Sequence, residues 1–167
     1  MKIIAGIFFL LCSVTTMAQQ GRGGITEKEI KDLVGNWAGT MVYTGDSSQI
    51  TSDVALTVTD AKDSLIFYYT YTQKDGRQYS DTNCLRVYED GNKLIFDDQQ
   101  LEIMATRRRG VRLTIIAERT GVEKFRSADF QETINIGPGI LNYTKGIRYM
   151  DMSEAYFIRK RITLTKK

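Results

Sequence analysis

The sequence predicts an all-β protein, an antiparallel up-and-down β-barrel of about 8–10 strands with a short N-terminal helix. From Gly35 onward, apolar residues recur at every second position in runs rich in β-branched and aromatic side chains. Short turn sequences such as Asp75-Gly76 separate these runs, and no stretch after Gly35 has helical spacing. We therefore assign residues 26–167 to a single barrel domain.

Residues 1–18 have the pattern of a secretory signal peptide. Met1-Lys2 is a short positive start, residues 3–11 are an apolar run too short to span a bilayer, and Thr16-Met17-Ala18 carries small residues where a signal peptidase reads. We expect cleavage after Ala18. The mature chain is then expected in a periplasm or outside the cell, without a membrane span.

The mature chain is predicted to begin with a flexible segment, residues 19–25, and a helix over about 27–34. Thr26 and Glu29 have the spacing of a capping box, in which each side chain accepts from the other residue's backbone amide. Apolar residues fall on one face at helical spacing: Ile25, Ile30, Leu33 and Val34.

Alternation after Gly35 indicates which strand positions face inward. Three inward sets are Val54, Leu56 and Val58; Leu65, Phe67, Tyr69 and Tyr71; and Val111, Leu113, Ile115 and Ala117. Turn residues separate the strands, at Gly45-Asp46, residues 60–63, Asp75-Gly76, Asp90-Gly91, Arg109-Gly110, Gly121 and residues 137–139.

A short helix followed by Gly35-Asn36-Trp37 and the first strand resembles the lipocalin and fatty-acid-binding superfamily. In that family the Trp closes one end of the barrel, and an Arg of the last strand packs on its ring. The resemblance therefore implies that Gly35 and Trp37 are structural and that Arg159 or Arg161, with Arg159 preferred, is the partner of Trp37. The chain is also similar to the small secreted lipocalin-like proteins of Bacteroidota, which share Ala18-Gln19 and Phe157-Ile158-Arg159.

The alternation together with Gly-x-Trp predicts that a small, largely apolar ligand binds inside the barrel. The inward residues expected to form its wall are Tyr43, Phe67, Tyr69, Phe96, Ile103 and Ile115. An alternative is a filled barrel that contacts a secreted or envelope partner through its outer surface, for which the basic run Arg107 to Arg109 at a hairpin tip is the candidate. The volume of the barrel interior distinguishes the two.

Composition argues against most catalytic chemistry. There is no histidine, so neither a Ser-His-Asp nor a Cys-His site can be built, and after cleavage Cys84 is the remaining cysteine. We expect no enzyme activity, no cofactor and no metal site, and we interpret Asp97-Asp98 as solvated turn residues. The charge balance, 23 basic against 20 acidic residues, indicates no nucleic-acid partner. The sequence does not predict the oligomeric state.

Overall fold

A computed structural model describes residues 24–151 and 155–167. These residues form one helix and ten strands. The elements are α1 (Glu27–Lys31), β1 (Gly35–Thr44), β2 (Gln49–Asp60), β3 (Leu65–Gln73), β4 (Gln78–Tyr88), β5 (Lys93–Phe96), β6 (Gln99–Arg109), β7 (Arg112–Glu123), β8 (Arg126–Gly137), β9 (Ile140–Tyr149) and β10 (Phe157–Lys166). The predicted signal peptide, residues 1–18, lies outside the described residues, as does most of the predicted flexible segment.

The ten strands form a closed antiparallel barrel, which confirms the predicted fold class. Each strand pairs with the next along the chain, and β1 pairs with β10 to close the sheet, with Met41 opposite Ile162. Because every strand has two neighbours, the barrel has no open sheet edge. Within the described ranges, no helix has the length and apolar character that crossing a bilayer requires.

Up-and-down connectivity gives the barrel two unlike ends. We call the end where β1 begins the helix end, since α1 precedes it, and the opposite end the mouth. The β6–β7 turn lies at the helix end, whereas the β1–β2, β5–β6 and β7–β8 turns lie at the mouth.

Helix α1 begins with the predicted capping box. The Thr26 hydroxyl accepts from the backbone N–H of Glu29, and the Glu29 carboxylate accepts from the Thr26 N–H at 2.9 Å. The helix is shorter than the predicted span of 27–34. Its last turn tightens because Leu33 and Val34 donate their N–H groups to carbonyls three residues earlier.

The core fills the barrel from the helix end upward. Ile30 and Leu33 of the helical segment pack with Trp37 in one buried cluster that extends through the inward residues of the sheet. The Trp37 side chain is 1% exposed, and its indole N–H donates to the Leu33 carbonyl at 2.8 Å. Trp37 therefore closes this end of the barrel.

Two tight turns lack glycine. Asp97 and Asp98 between β5 and β6, and Lys124 and Phe125 between β7 and β8, all have positive φ angles of 52° to 63°. Two consecutive residues of this kind fit the twist of a two-residue hairpin. The prediction of a turn at Gly121 is wrong: this residue lies inside β7, where a Cβ would approach the Arg119 guanidinium to 2.5 Å.

Val111 is another correction. It was expected on the inner face with Leu113, but it lies in the β6–β7 turn and is exposed, since β7 begins only at Arg112. The other inward residues of that set, Leu113, Ile115 and Ala117, are buried.

Two irregularities interrupt the pairing of neighbouring strands. In β6 the register shifts between Ile103 and Ala105, so Met104 is an extra residue opposite β7. In β10 it shifts between Ile158 and Lys160, so Arg159 is an extra residue opposite β9. Such bulges change which face of the sheet the neighbouring side chains point to. The bulge in β10 lies at the mouth.

Candidate functional site

Most of the predicted ligand wall belongs to a packed core. Phe67, Tyr69, Phe96 and Ile115 are all buried, and Ile103 is half-buried against the same cluster. The Phe96 ring contacts the ring of Phe67 at a centroid distance of 5.7 Å and that of Tyr143 at 5.3 Å. Side chains therefore occupy the barrel interior at this level.

The mouth holds an open cavity of ≈ 550 Å³. Of the six predicted wall residues, Tyr43 lines it. The remaining lining comes from every side of the mouth: Met41, Ile50, Tyr71, Tyr79, Ser80, Asp81, Asp97, Glu123, Phe130, Lys145, Ile147, Arg159 and Lys160. The lining is both aromatic and charged, and the predicted wall did not include its charged residues.

A column of stacked tyrosines forms one wall of the cavity. Tyr71 stacks on Tyr69, with ring centroids 5.5 Å apart and planes 7° apart, and on Tyr79 at 5.4 Å. The Tyr79 hydroxyl accepts from the Gln73 amide and lies 3.4 Å from the Ser52 hydroxyl. The Tyr71 hydroxyl is buried and has no hydrogen-bond partner in the described chain. Burial raises the pKa of Tyr71, so this phenol remains protonated and able to donate.

A row of three charged side chains crosses β8, β9 and β10, and two of them, Lys145 and Lys160, line the cavity. Glu132 of β8 lies directly opposite Lys145 of β9, and Lys145 lies directly opposite Lys160 of β10. The Lys145 ammonium is 3.6 Å from the Glu132 carboxylate and 3.7 Å from that of Asp97. Glu132 is 1% exposed, and its polar neighbours are the Tyr143 hydroxyl and the Lys145 ammonium. Burial raises the pKa of Glu132, and the Lys145 ammonium opposes that rise.

Lys160 differs from Lys145 in its partners. Among the described residues, no carboxylate lies within the 4.0 Å of an ion pair with Lys160. Its ammonium instead lies 5.7 Å from the ring centroid of Tyr71 and 6.0 Å from that of Tyr143. Burial lowers the pKa of Lys160, while the charges of Asp97, Asp81 and Glu132 raise it and that of Lys145 lowers it further. This ammonium is thus desolvated without a matched counter-charge.

Arg159 forms hydrogen bonds with several segments at the rim of the mouth. It does not contact Trp37, with which it was expected to pack. Its guanidinium donates to the Thr44 carbonyl at 2.9 Å, to the Glu123 carboxylate at 3.1 Å and to the Tyr149 hydroxyl at 3.2 Å. The cation on the Trp37 ring is Lys166, with its ammonium 5.3 Å from the ring centroid. The correction follows from register, because Trp37 lies opposite Lys166 at the helix end whereas Arg159 lies at the mouth.

The three residues of the basic run Arg107 to Arg109 do not share one environment. Arg108 donates to the Glu29 carboxylate and to the Gly24 carbonyl, which joins β6 to the helix α1 and to the segment that precedes its capping box. Arg107 and Arg109 line, with Arg112, an outer groove of ≈ 510 Å³. Contact of the run Arg107 to Arg109 with a secreted or envelope partner stays a prediction, in which Arg108 is already paired with Glu29.

Acidic and thiol groups form no further cluster. Asp97 and Asp98 occupy the β5–β6 turn, as interpreted from the sequence, although Asp97 also faces Lys145. Cys84 is a half-buried free thiol. Across residues 24–151 and 155–167, no group of three or more Cys, Asp or Glu side chains is arranged to hold a metal ion.

The sequence contained a signal for the residues that were missed. Lys160 shares the parity of Ile162 and Leu164, and Lys145 that of Tyr143 and Ile147. A charged residue at an inward position of an otherwise apolar alternation is costly to bury. Such interruptions therefore mark candidate polar groups of the interior.

Comparison with known proteins supports the fold. No family model and no curated protein matches this sequence. Among solved structures, the chain is similar to "Crystal Structure of Rv2717c from M. tuberculosis", with a TM-score of 0.63 and 14% sequence identity over 84% of this chain and 96% of that one. At this identity the likeness establishes a shared barrel fold alone.

Proposed function

We propose that this chain is a lipocalin-like, non-enzymatic protein that binds a small molecule in the mouth of its barrel. The observation that supports the proposal is the cavity of ≈ 550 Å³, a size typical of small-molecule sites, above a filled core. Its lining combines apolar surface with a few polar groups that converge on the same space. The proposed site thus lies at the mouth, above the level of Phe67 and Phe96 where the ligand was first expected.

The apolar part of the ligand is proposed to rest on the outer half of the cavity. Met41 is buried there, and Tyr43, Ile50 and Tyr79 are each about two-fifths exposed. Large apolar side chains held half-open at a concave surface lose water when a ligand covers them, which stabilises the complex. Rings of Tyr additionally offer stacking surface to a flat ligand.

The working location is proposed to be outside the cytoplasm. The support is the pattern of residues 1–18, with its positive start, short apolar run and small residues at 16–18. The mass of the protein recovered from a periplasmic or extracellular fraction tests this. Loss of residues 1–18 is expected, and an intact chain retained in the cytoplasm would contradict it.

A cavity-blocking variant tests the proposed site. Anilinonaphthalene sulfonate, a fluorescent aromatic probe, is expected to bind the folded protein saturably with one equivalent. Ile50→Trp places a larger ring at the mouth and is expected to weaken binding at least about tenfold. Ile140→Trp is the matched control, since Ile50 and Ile140 are both 40% exposed but lie at opposite ends of the barrel.

The outcome is decisive for the location of the site. Binding that is weakened by Ile50→Trp and unchanged by Ile140→Trp supports the mouth. Equal effects of both variants, or the absence of saturable binding to the cooperatively folded wild type, would refute it. Near-UV circular dichroism accompanies each titration, because this dye also binds partly unfolded chains.

A further inference from the structure

We propose that the ligand of the mouth is a compact organic anion whose acidic group is seated between the Lys160 ammonium and the Tyr71 hydroxyl. The inference rests on the proposed function and specifies its ligand class. It is carried by two hydrogen-bond donors that line one cavity, the buried Tyr71 hydroxyl, which has no acceptor, and the Lys160 ammonium, which forms no ion pair with a described carboxylate.

The two donors are unusual in their lack of partners. Tyr71 is 3% exposed, and its hydroxyl contacts no acceptor among the described residues. A buried hydroxyl without a partner is costly, and native proteins satisfy nearly all such groups. The Lys160 ammonium lies over the ring that carries this hydroxyl. An acceptor group placed between them would satisfy both donors.

The carboxylates of the site do not supply that acceptor. Asp97 and Glu132 both lie beside Lys145. Asp81 also lines the cavity, but its carboxylate accepts the backbone N–H of Thr82 and forms no ion pair with either ammonium in the described chain. Glu123 is held by Arg159. Of the two ammonium groups, that of Lys160 is thus the one without a carboxylate partner, and it can form an ion pair with an anionic ligand.

The packed core limits the size of the anion. Below the cavity, Tyr69 and Tyr143 are both buried in the core cluster, and the aromatic contacts of Phe96 continue it downward. A long alkyl chain directed inward from Lys160 therefore meets filled space. The body of the ligand must instead extend outward, over Tyr79 and Ile50, which favours a ring system of a few fused or linked rings.

A pair of matched probes separates the charge from the ring system. Anilinonaphthalene sulfonate carries an anion, and N-phenylnaphthylamine has the same rings without it. The wild type is expected to bind the sulfonate about tenfold more tightly than the neutral probe. Lys160→Met is expected to remove this preference and Lys160→Arg to retain most of it. Lys166→Met, a matched change at the other end of β10, is expected to leave it unchanged.

Tyr71→Phe supplies a second variant that keeps the ring and its stacking. It is expected to weaken the sulfonate several-fold and to leave the neutral probe unaffected. In competition, naphthoate is expected to displace the sulfonate at lower concentration than palmitate does, because the long chain has no room in the core.

The outcomes distinguish this inference from the function on which it rests. If neither probe binds, the proposed function itself fails. If both bind the wild type equally, or if Lys160→Met and Tyr71→Phe leave the preference intact, small-molecule binding stands and the anionic ligand is refuted. Displacement by palmitate at much lower concentration than by naphthoate would refute the compact body.

Discussion

Glu29 joins three parts of the chain at the helix end. Its carboxylate completes the capping box with Thr26 and accepts from the Arg108 guanidinium at 2.5 Å and 3.1 Å. Arg108 in turn donates to the Gly24 carbonyl. Foremost through its hydrogen bond with Arg108, the pKa of Glu29 is lowered from 4.5 to about 2. This carboxylate therefore contributes stability to the folded barrel when it is ionised.

Glu29→Gln is expected to lower the free energy of unfolding by about 1 kcal/mol at neutral pH, because glutamine keeps the capping geometry but loses the charge. A lowered pKa means that the stabilisation is present above pH 4.5 and lost as the pH falls toward 2. Urea unfolding of variant and wild type across this range measures the difference.

Glu27→Gln, in the same helical turn, is the control and is expected to have a smaller effect. A Glu29→Gln variant as stable as the wild type at neutral pH would contradict this role of Glu29. A stability difference that persists unchanged at pH 2 would contradict the electrostatic explanation.

The contacts of individual residues were predictable from the sequence where both partners lie within a few positions of each other. Thr26 and Glu29 have capping-box spacing, and both hydrogen bonds form. The contact between Glu29 and Arg108 spans 79 residues, so no local pattern could reveal it. The same holds for Trp37, whose burial was predicted from Gly-x-Trp but whose cation partner depended on the register of β1 against β10.

Among the elements, β10 shapes the mouth through its bulge. Alternation with Ile162 and Leu164 directs Lys160 inward, and the register shift then directs Arg159 inward as well. Two consecutive cations thus line the cavity, one held by Glu123 and one without a carboxylate partner in the described residues. Lys160 follows the alternation of Ile162 and Leu164, so without the extra residue Arg159 would face outward, and the bulge is what brings both cations to the mouth.

Arg159→Met is expected to destabilise the barrel by about 2 kcal/mol, because it leaves the Thr44 carbonyl and the Glu123 carboxylate without their shared charged donor. Guanidinium chloride unfolding measures this loss. Amide hydrogen exchange at Gly45, whose N–H donates to Ser48 in the β1–β2 turn, is expected to accelerate.

Arg161→Met provides the comparison for this variant, since Arg161 is exposed on the same strand. Its stability is expected to remain within about 0.5 kcal/mol of the wild type. Equal effects of the two substitutions, or unchanged exchange at Gly45, would show that Arg159 does not hold the rim.

Element types were predictable, but their irregularities were not. Period-two alternation identified the strands because one face of each is buried against a single core. Bulges depend on how two strands fit together, and the Lys124-Phe125 turn has no glycine to mark it. The inward position of Lys160 follows the alternation of Ile162 and Leu164, but the predicted wall consisted of apolar and aromatic residues alone.

The whole molecule is a barrel with a filled lower part and an open mouth. The two sequence-based alternatives, a hollow barrel and a filled one, each describe one part of it. Phe67 and Phe96 fill the core, while Tyr43 lines the cavity. Overall architecture followed from alternation and turns, but the volume left between side chains depends on packing across the barrel. This is why the cavity could not be located from the sequence.

The most direct test of the account is a map of where a compact anion binds. In a titration of the isotope-labelled protein with anilinonaphthalene sulfonate, followed by amide chemical shifts, we expect saturable changes centred on Tyr43, Tyr71, Lys145 and Lys160. Amides near Trp37 and along the outer groove at Arg107 and Arg112 are expected to remain unchanged. Saturable shifts centred on that groove or on the helix end, with the mouth unaffected, would contradict it.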